Sequence, residues 1–143
     1  LIIIFLMCFA DNLFSQVYVG IGAQNKGVNC SIGAMVRDID FNLSYALPIT
    51  SNENKKITSL AIGKQFLIND RFTVLPAIGY GRRKWTDYSQ YDDKGIMIAM
   101  QDFKPIGSLQ IGLNGRAGNV YAFTSYCNEI FYGLGMKIYF SKL

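Results

Sequence analysis

The stretch from Phe131 to Phe140, F-Y-G-L-G-M-K-I-Y-F, decides the fold of this chain. Alternate side chains along it form two different sets. One set holds two glycines and a lysine between aromatic ends; the other is entirely apolar or aromatic and consists of Tyr132, Leu134, Met136, Ile138 and Phe140. Two glycines spaced two residues apart disfavour a helix, and a period of two is typical of a β-strand. The stretch therefore predicts a strand with one continuous apolar face and one face of small residues.

The same alternation recurs along the rest of the chain. Seven further segments repeat it, at residues 16–23, 28–36, 39–47, 57–67, 72–81, 103–113 and 119–126. The connections at 37–38, 69–70 and 114–118 are short, and connections of that length join only antiparallel neighbours. The sequence therefore predicts an all-β chain of eight strands that run up and down in antiparallel order.

Length and composition limit the class of protein further. A chain of 143 residues is long enough for one domain, and only 17% of its residues are charged. Beyond the first residues there is no apolar run of 18, so no spanning helix is expected. The net charge of +4 is small and scattered, which argues against a nucleic-acid partner and allows at most a mild preference for anionic lipid head groups.

The first residues form a segment of a different kind. Residues 1–10, L-I-I-I-F-L-M-C-F-A, are an apolar run of the length found in secretory signals, and small or polar residues follow at 15–16. We expect residues 1–16 to be a truncated signal peptide and residues 17–143 to form the folded domain. The alternative interpretation is that this run is a buried strand or helix of the fold.

The composition of the second strand face indicates which face points outward. A strand surface in water normally carries many charged side chains. The eight predicted strands contain only four, namely Asp40, Lys64, Lys104 and Lys137. The other positions of that face are mostly Gly, Ser, Asn, Gln and Ala, which fit the narrow inside of an eight-stranded barrel. The sequence therefore predicts an eight-stranded antiparallel up-and-down transmembrane β-barrel, with its apolar face in lipid.

Two of these lysines and the aspartate are candidates for the lumen of the barrel. An isolated charge inside a barrel is costly, so each of them needs a partner. We expect Asp40 to form a buried ion pair with Lys137 or with Lys104. Lys64 differs from them, because it interrupts the apolar face.

The longest connection, at residues 82–102, differs from the other loops. A connection of this length without structure would be unusual, so we expect an external hairpin that continues both flanking strands, with its tip near residues 89–94. A shift in the apolar alternation between Met100 and Phe103 predicts a bulge there. Pro76 lacks a backbone N–H, so a bulge or a local gap in the ladder is expected at its position as well.

A basic cluster opens this hairpin and consists of Arg82, Arg83, Lys84 and Trp85. On a functional interpretation it is an external rim that binds the phosphates of outer-membrane lipid, including lipopolysaccharide, or another external ligand. The alternative is an ordinary charged rim with an interfacial tryptophan.

By this pattern, rather than by a specific motif, residues 17–140 resemble the small outer-membrane barrels of the OmpA/OmpX-like superfamily, in the porin-like form common among Bacteroidota. The resemblance implies a location in the outer membrane of a Gram-negative bacterium and insertion by the barrel assembly machinery. In such barrels the last strand ends in an aromatic residue that belongs to the assembly signal. Phe140 is our candidate for this C-terminal strand anchor, although three residues follow it. We expect the barrel to be monomeric.

The chain contains no histidine, which excludes nucleophile activation by histidine, histidine-based zinc sites and histidine proton shuttles. We therefore expect no enzyme, no cofactor and no metal. The leading hypothesis is a non-enzymatic barrel with a structural or surface-interaction role through its external loops. The alternatives are a narrow pore or small-molecule transport barrel, and a soluble, secreted lipid-binding barrel with apolar residues inside. Cys30 and Cys127 are either bridged or free.

Overall fold

A computed structural model of the protein describes residues 16–48, 55–115 and 118–140. All regular structure in these ranges is β-strand. No helix within them is long and apolar enough to cross a membrane, a finding that does not bear on crossing by strands. Residues 1–15 and 141–143 lie outside the described ranges, so the signal peptide stays a prediction.

The strands lie close to the segments that alternation predicts, and short turns or loops connect them. Within the described ranges they are β1 (Gln16–Gln24), β2 (Gly27–Val36), β3 (Ile39–Pro48), β4 (Lys56–Lys64), β5 (Phe66–Leu67), β6 (Phe72–Tyr91), β7 (Met97–Asn114), β8 (Gly118–Tyr126) and β9 (Ile130–Phe140). The two-residue β5 continues β4 along β6, so β4 and β5 together count as one of the eight strands of the barrel wall.

The sheet closes on itself. Sequential neighbours pair antiparallel around the wall, β1 pairs with β9, and β4 pairs with β6. The predicted eight-stranded antiparallel up-and-down barrel is therefore confirmed. We call the end of the barrel that holds Gln16 and Phe140 the terminal end. The opposite end, from which β6 and β7 project, is called the hairpin end.

The two faces of the wall have opposite polarity. Large apolar side chains point outward, and Ile78 is 70% exposed while Leu60 is 65% exposed. Polar and charged side chains point into the lumen, where Asp40 is 2% and Lys137 is 3% exposed. This is the reverse of the arrangement that the soluble, lipid-binding alternative requires, so that alternative is wrong.

The ladder is interrupted near Pro76, as predicted. The pairing of β4 with β6 ends at Gly63 and resumes in the same register at Phe66, so the gap lies opposite Leu75 and Pro76. The backbone N–H of Gln65 instead donates to the carbonyl of Asp38 at 2.7 Å. Because proline has no N–H to offer the neighbouring strand, a gap at this point leaves fewer groups without a partner.

The bulge predicted between Met100 and Phe103 is wrong. The register of β6 with β7 runs unbroken there, and it shifts only near the hairpin tip, between Asp87 and Tyr91. The apolar alternation changes because Met100 and Ile98 point to the inner side of a hairpin that has left the barrel wall. The rule that apolar residues face outward applies only where the wall is closed.

Candidate functional site

The terminal half of the lumen holds a compact polar cluster around Asp40. The hydroxyl of Tyr18 donates to its carboxylate, at 2.7 Å from Oδ1 and 3.0 Å from Oδ2. Nζ of Lys137 lies 3.4 Å from Oδ2, and Nδ2 of Asn42 donates to the Tyr18 hydroxyl at 2.8 Å. Three strands contribute to this cluster: β1 and β9, which meet where the barrel closes, and β3, which lies beyond β2. The cluster thus links the two closing strands, β1 and β9, from inside the lumen.

Aromatic rings enclose the ammonium group of Lys137. It lies 4.5 Å from the centre of the Tyr18 ring and 5.6 Å from that of Tyr121. Tyr139 meets Tyr18 edge to face with ring centres 5.7 Å apart. A cation over an aromatic face is stabilised by the ring quadrupole, and more strongly when water is excluded. The rings therefore compensate the buried charge together with Asp40.

Glycine makes room for these rings. A Cβ atom built on Gly33 would overlap Cζ and the hydroxyl of Tyr18, and one built on Gly135 would overlap the ring of Tyr121. Each of these glycines lies on the strand next to the tyrosine it faces, directly opposite in register. The small second face predicted from the sequence is thus the space that the tyrosines of the cluster occupy.

Lys104, the other predicted partner of Asp40, lies elsewhere. Its Nζ is 4.0 Å from Oδ2 of Asp102 at the hairpin end, and its side chain is half-buried. Of the two partners left open by the sequence, the structure places Lys137 beside Asp40. Lys64 faces outward, with its Nζ 5.4 Å from the centre of the Phe66 ring.

The hairpin half of the lumen is roomier, and no charged side chain lines its cavity. It holds a cavity of about 70 Å³, lined mainly by serine, asparagine and glutamine side chains. The hydroxyls of Ser44 and Ser59 are 2.5 Å apart across one side of it. Oδ1 of Asn29 has no hydrogen-bond partner within the described residues and borders the same space. A polar cavity of this size has room for a few water molecules, which would satisfy such groups.

An apolar cluster and an ion pair lie between this cavity and the hairpin end. Ile57, Cys127 and Phe131 form the cluster, with Ala46 and Ile106 packed against it. Beside it, Nε of Arg83 donates to Oδ1 of Asp102 at 2.8 Å, and the second guanidinium nitrogen bonds Oδ2 of the same carboxylate. This forked pairing fixes the planar guanidinium in one orientation.

The predicted basic rim divides between the two sides of the wall. Arg83 is buried on the lumen side, and Trp85 shares that side, with its ring centre 5.6 Å from Cζ of Arg83. Arg82 and Lys84 point outward and are exposed. The prediction of a single external rim is therefore wrong for Arg83 and Trp85, because consecutive residues of a strand point to opposite faces.

Three loops at the hairpin end are joined by Glu129. Its carboxylate binds Lys26 of the β1–β2 turn at 2.6 Å and Lys55 of the β3–β4 loop at 2.7 Å. The hydrogen bonds from these two ammonium groups lower the pKa of Glu129 to about 2. The mouth of the barrel is thus held by a carboxylate that stays ionised in mild acid.

The remaining candidates lie in separate places. Phe140 is exposed on the outer face, where β9 pairs with Val17 at the terminal end. Cys30 is exposed on the outer side and Cys127 is buried on the lumen side, and both are free. Among the described residues there is no group of three or more His, Cys, Asp or Glu side chains that could hold a metal ion.

Sequence reasoning missed several residues of these arrangements. It gave no role to Tyr18, Asn42 or Glu129, and it did not connect Lys56 with the basic cluster. Strand alternation does place Tyr18 and Asn42 on the lumen face. Their proximity depends on how far each strand is staggered against the next, and alternation does not report that stagger.

A closed wall with apolar side chains outside and a filled polar lumen defines a class: the chain has the fold of the small β-barrels of bacterial outer membranes. Among solved structures it is similar to the N-terminal β-barrel domain of Pseudomonas aeruginosa OprF, with a TM-score of 0.71, 16% identity, and coverage of 90% of this chain and 99% of that one.

Two other solved barrels are similar at lower scores. Ail of Yersinia pestis, in complex with the heparin analogue sucrose octasulfate, has a TM-score of 0.58 at 14% identity, covering 87% of this chain and 97% of that one. A de novo designed transmembrane β-barrel also has a TM-score of 0.58, at 12% identity, covering 87% and 93%. No protein-family model and no curated protein matches the sequence. At these identities the likeness shows the fold, and the Bacteroidota form stays a prediction.

Proposed function

We propose that the chain is a non-enzymatic barrel of the outer membrane of a Gram-negative bacterium, with a structural or surface-interaction role. The observation that supports this most is the polarity of the wall, which has apolar side chains outside and charges inside. Only a closed barrel or a helix satisfies its backbone within lipid, and this sheet has no open edge along the closed wall.

The part of the barrel suited to surface interaction is the projecting hairpin. The pairing of β6 with β4 ends at Lys84, and that of β7 with β8 ends at Gly107. Residues 85–91 and 97–100 therefore stand clear of the wall and pair with each other, whereas residues 101–106 still pair with the wall part of β6. In outer-membrane barrels the long loops are on the external side and the short turns on the periplasmic side. On that topology the hairpin is external and both ends of the described chain are periplasmic.

The proposed partners follow from this location. They are outer-membrane lipid along the wall and the barrel assembly machinery during insertion, with Phe140 as the aromatic anchor of the closing strand. We propose a monomer, since one chain closes the sheet without a contribution from another.

A narrow pore is the second candidate, and the filled lumen disfavours it. The Asp40 cluster occupies the terminal half, and the apolar cluster and the Arg83–Asp102 pair lie at the hairpin end. Eight strands leave an interior that side chains fill. Planar-bilayer recording separates the two functions: steady conductance of the pure protein would favour the pore.

The lipid-facing wall can be tested by one substitution with a matched control. Leu43→Arg places a charge on the outer face of β3, and we expect folding into phosphatidylcholine vesicles to weaken by about 2–4 kcal/mol. Met97→Arg makes a similar change on the exposed outer side of the hairpin and should have little effect. Folded protein is measured by its heat-modifiable gel shift. Equal effects of the two substitutions, or folding without detergent or lipid, would contradict the proposal.

A further inference from the structure

Three cations form a patch on the outer face of the wall at the hairpin end, which we call the wall patch: Lys56, Arg82 and Lys84. All three are exposed. Their direction is fixed by their neighbours, since Ile57 packs inside the barrel beside Cys127, and Arg83 is buried on the lumen side. Strand alternation then turns the residues on either side of these two outward.

The register brings the three cations together. Lys56 of β4 is directly opposite Lys84 of β6, and Arg82 is two residues further along β6, opposite Thr58. Directly opposite residues of antiparallel strands have Cβ atoms about 4.5–5.5 Å apart, and diagonal neighbours are about 7–8 Å apart. All three positive groups can therefore contact a single ligand that is a few ångströms across.

Among the described residues, no acidic side chain compensates this charge. None of the three cations forms an ion pair within the described ranges, whereas Lys26, Lys55, Arg83 and Lys137 all do. The outward neighbours on β7 are Gln101 opposite Lys84 and Phe103 opposite Arg82, and neither is charged. Like charges directly opposite each other on a sheet destabilise it. The wall patch is therefore a place where a bound anion would relieve repulsion.

The surface next to the wall patch indicates what kind of anion it would be. Directly below the patch, toward the terminal end, Leu60 lies opposite Tyr80, and Ile62 lies opposite Ile78; all four are exposed on the outer face. A cationic group at the top of an apolar column matches an amphiphile with a negative head and hydrocarbon chains. A soluble anion would not contact this apolar column.

We infer that the wall patch binds the phosphate groups of a membrane lipid whose acyl chains lie along Leu60, Tyr80 and Ile78. Three cations in reach of each other favour a head group with two phosphates over one with a single phosphate. This inference rests on the proposed function, because it requires the wall to lie in a bilayer. It also replaces the predicted rim, since Lys56 joins the patch and Arg83 and Trp85 do not belong to it.

The test compares two double variants with the same loss of charge. Lys56→Gln with Lys84→Gln removes the opposed pair of the wall patch. Lys94→Gln with Lys104→Gln is the control, because Lys94 lies at the hairpin tip and Lys104 on the lumen side of the same end. Each protein is folded into phosphatidylcholine nanodiscs that contain a small fraction of fluorescent bis-phosphorylated lipid A, and lipid binding is measured by energy transfer from a dye on Cys30.

We expect the wall-patch variant to bind this lipid about 25-fold more weakly than the unmodified protein, at about fivefold per cation, and the control to bind normally. Mono-phosphorylated lipid should bind more weakly than the bis-phosphorylated form, and millimolar inositol hexakisphosphate should not displace either. Equal binding by both variants, or displacement by the soluble phosphate, would overturn the inference while the heat-modifiable shift still reports a folded barrel. Loss of that shift in every protein would instead count against the proposed function.

Discussion

The two halves of the lumen are filled by different kinds of side chain and to different extents. In the terminal half, tyrosines and one ion pair fill the space, and the cavity beside Lys137 and Tyr139 is only about 10 Å³. In the hairpin half the cavity is about 70 Å³ and is lined by neutral polar side chains together with apolar ones such as Phe123 and Phe131. A cavity of about 10–15 Å³ is the least that holds one water molecule. Beside Lys137 and Tyr139 the terminal half therefore has room for about one water molecule at most, while the hairpin half has room for several.

This difference determines how strongly each half depends on its own side chains. A polar group in a dry site has no alternative partner, so the loss of its partner leaves it unsatisfied. A polar group beside a hydrated cavity can exchange a protein partner for water at modest cost. Substitutions of similar chemistry should therefore have large effects around Asp40 and small effects around Ser59.

The largest effect is expected for Asp40→Ala. The substitution leaves the ammonium of Lys137 buried without its counter-ion and removes the acceptor of the Tyr18 hydroxyl. Breaking a buried ion pair by removing one partner costs about 3–5 kcal/mol. Urea unfolding of the protein in phosphatidylcholine vesicles, followed by the gel shift, measures this loss.

The double substitution Asp40→Leu with Lys137→Met is the control. It removes both charges and keeps most of the volume, and buried pairs replaced in this way often lose no stability. We expect it to recover most of the loss. If it were as unstable as Asp40→Ala, the cost would come from packing and not from the unpaired charge, and the contrast between the two halves would lose its electrostatic basis.

The next largest loss of stability is expected for Gly33→Ala. The added Cβ would overlap the Tyr18 ring and lie 2.7 Å from the carbonyl oxygen of Phe41, so the ring must move away from Asp40. Overpacking of this kind costs about 1–3 kcal/mol. Gly107→Ala is matched to it, since Gly107 also lies in the wall but its added Cβ would meet nothing within 4 Å. A similar loss in both variants would point to a general effect of glycine on the strand.

Much of the fold could be predicted because alternation and connection length are local properties of the sequence. Eight strands, their order and the small lumen face all follow from them. The partner of Asp40 did not, because Lys137 and Lys104 occupy the same face on different strands. Only the stagger of the closed sheet puts one of them near Asp40 and the other at the far end.

Strand β8 shows a second limit of the sequence. Its two faces are hard to assign, because Tyr121 and Phe123 are as apolar as Val120 on the other side. The structure turns both rings inward, where Gly135 lies opposite Tyr121. The space for a large ring is supplied by a neighbouring strand, so the orientation of β8 depends on β9 and not on its own residues.

A smaller effect is expected in the hairpin half for Ser59→Ala. This change removes the partner of the Ser44 hydroxyl at 2.5 Å, but Ser44 also borders the cavity. A hydrogen bond that water can replace should cost at most about 1 kcal/mol, compared with several for Asp40. The same urea titration checks it. A loss as large as that of Asp40→Ala would show that the hairpin half is as dry as the terminal half.

The smallest effect is expected for Glu129→Gln and concerns the mouth of the barrel above the hairpin half. Since binding to Lys26 and Lys55 lowers the pKa of Glu129 to about 2 from an ordinary 4.5, ionised Glu129 favours the folded state. This contribution is complete above about pH 4.5 and is lost as the pH falls toward 2. For a partly exposed pair it should be at most about 1 kcal/mol. The difference in unfolding free energy between the two proteins should therefore be present at pH 7 and vanish near pH 2. Asp93→Asn, at the exposed hairpin tip, is the control. If the difference for Glu129→Gln stayed constant from pH 7 to 2, the carboxylate would not hold the loops by its charge.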